Sequence, residues 1–462
     1  MTPVLDALLS MSMVAPTWHW LYLPLEGRTG SCLFERLFGE EAVAVLLESP
    51  QLSPRTARYS ILAACPRRVL APAVGEILPA LRAWLAAARR QLPPPEWRGL
   101  PFRGGLVGWF GYDLAWEIER LPWLRNDPLP FPTAWWFEPA VFAVADHRED
   151  KLLLAVDNRS GLGPDRGSLA YWCKRLDRPI LTDEEINSGA LPRLTSRDRF
   201  LEAVHQVKEH IAAGDIFQCN LSLRFELDWE GNGWRLYRRL VGLNPSPFAC
   251  YWRTPFGEIV SCSPERLLEV RGEALSTRPI AGTRPRGFTA AADQRLESEL
   301  LISPKERAEH IMLVDLERND LGRVSQPGSV QVDELMVIER YSHVMHIVSN
   351  VVGRLQPGCD ALDAVRAVYP GGTITGCPKV RCMEIIERLE PVRRSLFYGS
   401  AGYLDCTGDL DLNILIRTLL KSGSRIWGQV GAGIVADSDP QGEYLESLAK
   451  AKALWKALGD SR

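Results

Sequence analysis

The chain has 462 residues, with 54 Lys and Arg against 57 Asp and Glu and a formal net charge of −3. That balance excludes a global basic field for nucleic acid and an acidic disordered tail, while the length exceeds what one ordinary core serves, so two lobes or one large composite domain are expected. No apolar stretch approaches a membrane span, and the N-terminus MTPVLDALLSMSMVAP lacks a cationic region ahead of its apolar part, so neither membrane insertion nor a secretory signal is expected and the chain reads as cytoplasmic.

In the first third, Val43–Glu48, Arg58–Leu62, Gly105–Gly111 and Ala140–Val144 read as strands, and Glu76–Gln91 carries Leu, Ile and Ala at helical spacing. Pro93–Pro95 is a stiff break, and Asn126–Pro132 is a proline-rich loop. From Asp157 to Thr195 Gly, Pro, Ser and Asp become frequent, which places an N-terminal region at 1–165, a linker at 166–195 and a second region at 196–458. That region opens on a helix: Ser196 suits its N-cap, Phe200, Val204, Val207 and Ile211 form one apolar face, and Gly214 ends it. Strands follow at Ile216–Phe225, Glu258–Ser261, Arg266–Val270, Ser400–Leu404, Leu412–Leu420 and Arg425–Val430. Helical patterns run through Pro304–Leu316, Ser342–Arg354, Ala361–Val368, Lys379–Leu389 and Gly442–Leu458. Strands and helices mixed without a βαβ rhythm predict an α+β fold.

Ten cysteines form no CxxC pair, and seven histidines form no HExxH-like cluster, so reduced thiols in or near the core are expected rather than a zinc site. Two glutamate pairs stand out, Glu306 with Glu309 and Glu443 with Glu446. Each is spaced i, i+3, on one side of its helix. Glu309 shares its side with Met312, Leu313 and Leu316, and a carboxylate on an apolar face needs a partner. A hard divalent cation such as Mg²⁺ is one solution; solvated surface charge is the commoner one. Lys450 returns to the side of Glu446.

Three glycine loops, Pro279–Gly287, Pro370–Gly376 and Gly431–Gly433, offer backbone N–H groups that suit a carboxylate or phosphate, although each alone reads as a tight turn. Arg417 interrupts an apolar strand, and His346 lies among apolar residues. Together these features describe an acidic metal site beside several anion holders.

The strings Gly214–Ser222, Ser263-Pro264-Glu265, Arg278–Gly287, Lys305–Arg323, Tyr341–Asn350, Pro370–Glu384 and Gly431–Lys450, in this order, resemble the chorismate-utilising enzyme family. Gly104–Asp113 and Leu46-Leu47-Glu48-Ser49 resemble the N-terminal region of its aminating members. The resemblance implies two large, mainly antiparallel β-sheets packed together with helices outside. It implies that Glu309 and Glu446 bind Mg²⁺, with Glu306 and Glu443 supporting the metal shell. Gly282, Thr283, Tyr403, Arg417, Gly431, Gly433 and Lys450 match substrate-holding positions. Thr373 and His346 lie near the reacting ring in relatives, and Glu265 matches a proton donor. No cysteine sits in a Gly-x-Cys-x-Gly elbow, so ammonia is expected from a separate glutamine amidotransferase subunit.

Within the family, Gly371 and Thr375 resemble the aminodeoxychorismate synthases, whereas anthranilate synthases more often have Ala and Ser there. Ala281 departs from this, because many aminodeoxychorismate synthases carry a nucleophilic Lys at that position. The expectation is therefore amination of chorismate at C4 for 4-aminobenzoate and folate synthesis. The alternatives are an anthranilate synthase and a catalytically inactive relative. Ser49, Asn244 and Pro245 resemble parts of the tryptophan pocket of anthranilate synthases; plain packing is the bland alternative.

Overall fold

The computed structural model describes residues 18–50, 58–89, 93–157, 161–180, 192–341 and 344–459. The N-terminal part forms strands β1 (Trp18–Pro24), β2 (Ala44–Glu48), β3 (Tyr59–Leu70), β4 (Gly105–Phe110), β5 (Ala134–Asp146) and β6 (Lys151–Asp157), with helices α1 (Gly30–Phe38) and α2 (Ile77–Ala88) between them. After the short β7 (Arg193–Leu194) come α3 (Arg197–Ala212), β8 (Gln218–Asp228) and α4 (Gly233–Leu243). A run of strands follows: β9 (Phe248–Thr254), β10 (Gly257–Ser263), β11 (Arg266–Arg271), β12 (Ala274–Thr277) and β13 (Ile280–Pro285). Helices α5 (Ala290–Ile302) and α6 (Pro304–Gly322) precede β14 (Gln331–Arg340), β15 (Val344–Arg354), α7 (Ala361–Val368), the short β16 (Gly376–Cys377) and α8 (Lys379–Leu389). The chain closes with β17 (Ser400–Asp405), β18 (Leu410–Asn413), β19 (Thr418–Ser422), β20 (Arg425–Ile434) and α9 (Pro440–Ala457).

The strand pairings are antiparallel and organise into two sheets that share β5. One edge of this long strand pairs with β3, from which the ladder continues through β2, β9, β10, β19, β20 and β8. Its other edge pairs with β4, leading through β17, β18, β11 and β12 to β15. All of β5 is buried, including Trp135, Trp136 and Phe137, because both faces are covered. N-terminal β2 and β4 pair with β9 and β17 of the second region, and both main cores draw on both regions, so the structure is one composite body. The expected linker contributes too: Leu169–Arg175 is helical, and its buried Trp172 packs on Phe38 with ring centroids 5.5 Å apart. Residues 181–191 of that linker lie outside the described residues.

The structure corrects several sequence expectations. The helix expected at Ser342–Arg354 is strand β15, with Ser342 and His343 outside the described residues. It is flanked by β12 and β13 on one edge and β14 on the other, and a strand buried on both faces loses the alternation that would mark it. The strand expected at Leu412–Leu420 is two strands, broken where Arg417 takes φ +50°. Ser196 precedes α3 but makes no side-chain capping bond.

A buried charge pair in the segment after α8 is anchored on β8. Arg394 and Glu390 are 2.7 Å apart, and the Glu390 carboxylate also accepts from the Ser222 N–H at 2.9 Å and hydroxyl at 2.7 Å. Removing one partner of a buried pair leaves the other charge uncompensated. Arg394→Ala is expected to lower stability by about 3–5 kcal/mol, read as a fall in the urea midpoint.

Candidate active site

The site gathers on one end of β20, which packs against α9 and which Glu309 of α6 reaches. A Cβ on Gly433 would lie 2.3 Å from Gln218 Nε2 and 3.3 Å from Glu309 Oε1, so only glycine lets these groups close over the strand. Gln218, the first residue of β8, donates to Glu309 Oε1 at 2.7 Å and aims that carboxylate from α6 toward β20. From the other side, Lys450 of α9 donates to the Gly431 carbonyl at 2.9 Å and pairs with Glu446 Oε1 at 2.9 Å. Gly431, Gly433, Glu309, Glu446 and Lys450 are thus brought together.

The remaining glutamates take other partners. Glu306 pairs with Arg284 at 3.1 Å and lies against Gly282. Glu443 is buried and accepts from the Ser438 hydroxyl at 2.6 Å. Among the described residues no group of three or more His, Cys, Asp or Glu side chains converges as a metal cluster. The donor set nevertheless fits Mg²⁺, which binds through one or two carboxylates and leaves its other positions to water and substrate. Glu309 and Glu446 would hold it; their present partners are an amide and a lysine, groups a cation displaces.

A second group lines the interior next to this strand. His346 Nδ1 is 2.9 Å from the Thr283 hydroxyl and 3.3 Å from the Gly282 carbonyl. Its Nε2 is buried without a partner. Burial, together with the Arg417 charge, pushes its pKa down to about 3. The imidazole is therefore neutral at working pH, able to accept or position but not to act as a cation. Its signals are expected to show no titration above about pH 5 by NMR. Because an unfolded histidine protonates near 6.5, the stability linked to His346 is present above that value and lost as pH falls toward about 3. Arg417 projects from the β18–β19 break, and among the described residues it forms no ion pair.

Glu265 follows β10 in the turn Ser263-Pro264-Glu265 and is 4% exposed. Burial pushes its carboxyl up to about 7, opposed by the Thr373 hydroxyl, the Ile280 amide and the Arg417 charge. A carboxyl held near neutrality is suited to proton donation. Stability linked to that proton is present below the ordinary carboxyl range and lost as pH rises toward about 7. Thr373 is presented by the Gly371–Thr375 turn, which is held by Thr375 Oγ1 donating to the Gly371 carbonyl at 2.8 Å and Arg394 donating to the Ile374 carbonyl at 2.7 Å. Gly371 and Thr375 thus shape the turn that carries Thr373.

Tyr403 lies elsewhere. Its hydroxyl accepts from Arg271 at 2.7 Å, and with Ser49, Arg266 and Asp411 it lines a separate cavity of about 290 Å³. Extended backbone sends neighbouring side chains to opposite faces, so Glu265 faces Thr373 while Arg266 faces Asp411 at 3.0 Å. The tyrosine at the site is Tyr398, whose hydroxyl a Cβ on Gly431 would meet at 2.9 Å. The sequence offers two tyrosine–glycine doublets, Tyr398-Gly399 and Gly402-Tyr403, and nothing local chooses between them. Gln218 and Arg284 were also unassigned; both sit in quoted motifs, but only their contacts reveal a role. Of the residues likened to a tryptophan pocket, Ser49 lines the separate cavity, whereas Asn244 caps the C-terminus of α4 and neither it nor Pro245 lines it; Pro247 does.

A sequence profile of chorismate binding enzymes matches residues 47–456. The chain belongs to the chorismate binding enzyme family. Among its relatives, an anthranilate synthase component I-like protein of Synechocystis is 53% identical over 96% of this chain and 92% of its own length. Aminodeoxychorismate synthase component 1 of Bacillus subtilis is 47% identical, covering 77% of each. The crystal structure of anthranilate synthase component I from Streptococcus pneumoniae superposes with a TM-score of 0.76 at 34% identity, covering 87% of this chain and 93% of that one. The Escherichia coli menaquinone-specific isochorismate synthase shares the fold, with a TM-score of 0.73 at 18% identity and 98% of each chain covered. In this chorismate enzyme, no helix among the described residues is long and apolar enough to cross a membrane.

Proposed function

We propose that the chain aminates chorismate at C4 to 4-amino-4-deoxychorismate, with Mg²⁺ and with ammonia delivered by a separate glutamine amidotransferase subunit. The observation that carries this reading is the meeting of Glu309, Glu446 and Lys450 on the Gly431–Gly433 strand, with Arg417 left without an ion pair. Chorismate has two carboxylates, and such a site offers a cation for each. Bound Mg²⁺ supplies Lewis-acid polarisation of the substrate. Arg417 and Lys450 orient the carboxylates. Glu265 protonates the C4 hydroxyl, so that the C4–O bond breaks and water leaves; ammonia forms the new bond at C4, and the ammonium so formed returns a proton to Glu265. Ala281 provides no nucleophile, so ammonia itself makes the first addition.

The likeness of Gly371 and Thr375 to aminodeoxychorismate synthases supports the C4 assignment, as does the Bacillus subtilis relative. The second reading, amination at C2 with loss of pyruvate, is favoured by Ala281 and by the Synechocystis relative. One assay separates them: chorismate, Mg²⁺ and excess ammonium at alkaline pH, followed by a 4-amino-4-deoxychorismate lyase. Formation of 4-aminobenzoate supports the proposal. A fluorescent product lacking pyruvate before lyase addition identifies anthranilate and overturns it, and absence of chorismate consumption removes both.

A further inference from the structure

Among the glutamates around the proposed metal position, Glu446 and Glu306 are each met by a cation. Lys450, at Glu446, already has work on the substrate side. Arg284, at Glu306, is used by no step above. Its Nη1 donates to Glu306 Oε1 at 3.1 Å and to the Thr283 carbonyl at 2.9 Å, so the guanidinium is folded back along β13 and held over the first turn of α6. Gly282 makes that approach possible. It takes φ +64°, and a Cβ there would lie 2.9 Å from Glu306 Oε2. The β13–β15 register shifts at this glycine, between Ala281 and Thr283. Beyond the shift, the Thr283 hydroxyl lies 2.9 Å from His346 Nδ1, and Arg284 reaches α6. One short stretch of strand thus touches the substrate side with one residue and a metal-side carboxylate with the next. The Arg284 and Glu306 side chains are only 31% and 18% exposed, so solvent and salt screen them less than a surface pair.

Glu306 lies three residues before Glu309, on the same side of α6. A cation held by Glu309 and Glu446 therefore sits in the field of whatever occupies Glu306. Mg²⁺ keeps several waters when carboxylates hold it, and an unoccupied Glu306 carboxylate suits those waters as an acceptor. With Arg284 in place, the pair adds no net charge and Oε1 is taken. We propose that Arg284 is a resident competitor of the metal: it neutralises Glu306 in the metal-free enzyme, and the divalent cation enters against it. The proposal rests on the reading of Glu309 and Glu446 as the metal-holding pair. Such a competitor keeps Glu306 paired while no metal is bound, and it holds metal affinity below what the carboxylates alone would give. Like charges repel at any dielectric constant, so the sign is fixed: removing Arg284 tightens metal binding. A residue that only braced the strand would act in the opposite sense, because its loss would loosen the site.

The test is Mn²⁺ binding to the substrate-free full chain at low ionic strength, followed by electron paramagnetic resonance. Arg284→Met and Arg284→Gln are each expected to tighten Mn²⁺ about tenfold, a gain that shrinks as salt is added. Arg284→Lys keeps the charge at what is a single-atom contact, and parent affinity is expected. Adding Glu306→Gln to Arg284→Met cancels the gain, since it removes the carboxylate that Arg284 had neutralised. Parent or weaker affinity in both neutral variants overturns the proposal, as does a gain that survives Glu306→Gln. Glu309→Gln separates the two ideas. If it binds Mn²⁺ as the parent does, the metal reading itself fails. If it loses Mn²⁺ while the neutral Arg284 variants match the parent, the role of Arg284 alone fails.

Discussion

Glu309→Gln is expected to reduce Mg²⁺-dependent chorismate turnover by about a thousandfold, corresponding to about 4 kcal/mol of lost transition-state stabilisation. The amide has the shape of the carboxylate, and its oxygen still accepts the hydrogen bond that Gln218 now donates at 2.7 Å. Local packing over Gly433 is therefore retained, and what is removed is charge. A neutral amide is a poor Mg²⁺ ligand compared with a carboxylate, so metal affinity falls with the rate. Mn²⁺ titration followed by electron paramagnetic resonance reads the binding directly. Unchanged Mn²⁺ affinity together with parent turnover would contradict a metal role for Glu309. Glu443→Gln provides the contrast: that carboxylate is committed to Ser438 at 2.6 Å and its loss is expected to act on stability first.

Arg417→Met is expected to lower kcat/KM for chorismate by about two to three orders of magnitude, the scale of a lost charge-assisted contact to a substrate carboxylate. The guanidinium is half-buried without an ion pair among the described residues, an arrangement that costs free energy in the absence of an anion. Arg417→Lys keeps the charge but loses the planar fork, so an intermediate loss is expected. A second readout follows from electrostatics. The Arg417 charge pulls down both the Glu265 carboxyl and the His346 imidazole. Without it, the fall in rate assigned to Glu265 moves to higher pH. An unshifted profile with parent KM removes Arg417 from the site.

Local pattern determined much of this protein. Helices α7 and α8 stand where the periodicity of Ala361–Val368 and Lys379–Leu389 puts them, and α6 and α9 differ from expectation only at their ends. The i, i+3 spacing of Glu306 and Glu309, the glycines at 431 and 433 and the lone strand arginine at 417 were all visible, and the family motifs attached chorismate to them. Tertiary structure decided the rest, for physical reasons that no local window contains. Strand β15 reads as a helix because neighbours on both edges and both faces replace its own periodicity. Tyr398 rather than Tyr403 reaches the site because the turn ahead of β17, where Tyr398 takes φ +63°, sends that tyrosine toward Gly431, whereas β17 itself presents Tyr403 to Arg271. The glutamates that look alike in sequence part company once each meets its partner: Gln218 and Arg284 from other segments for Glu309 and Glu306, and Ser438 just ahead of its own helix for Glu443. Glu317 and Asp320 are the sharpest case. They are three residues apart on one helix, and only the packing of α8 gives Asp320 a lysine while the Glu317 Oε2 atom stays buried without a hydrogen-bond partner. A sequence names which residues carry charge; which of those charges is compensated is settled by what folding brings beside them.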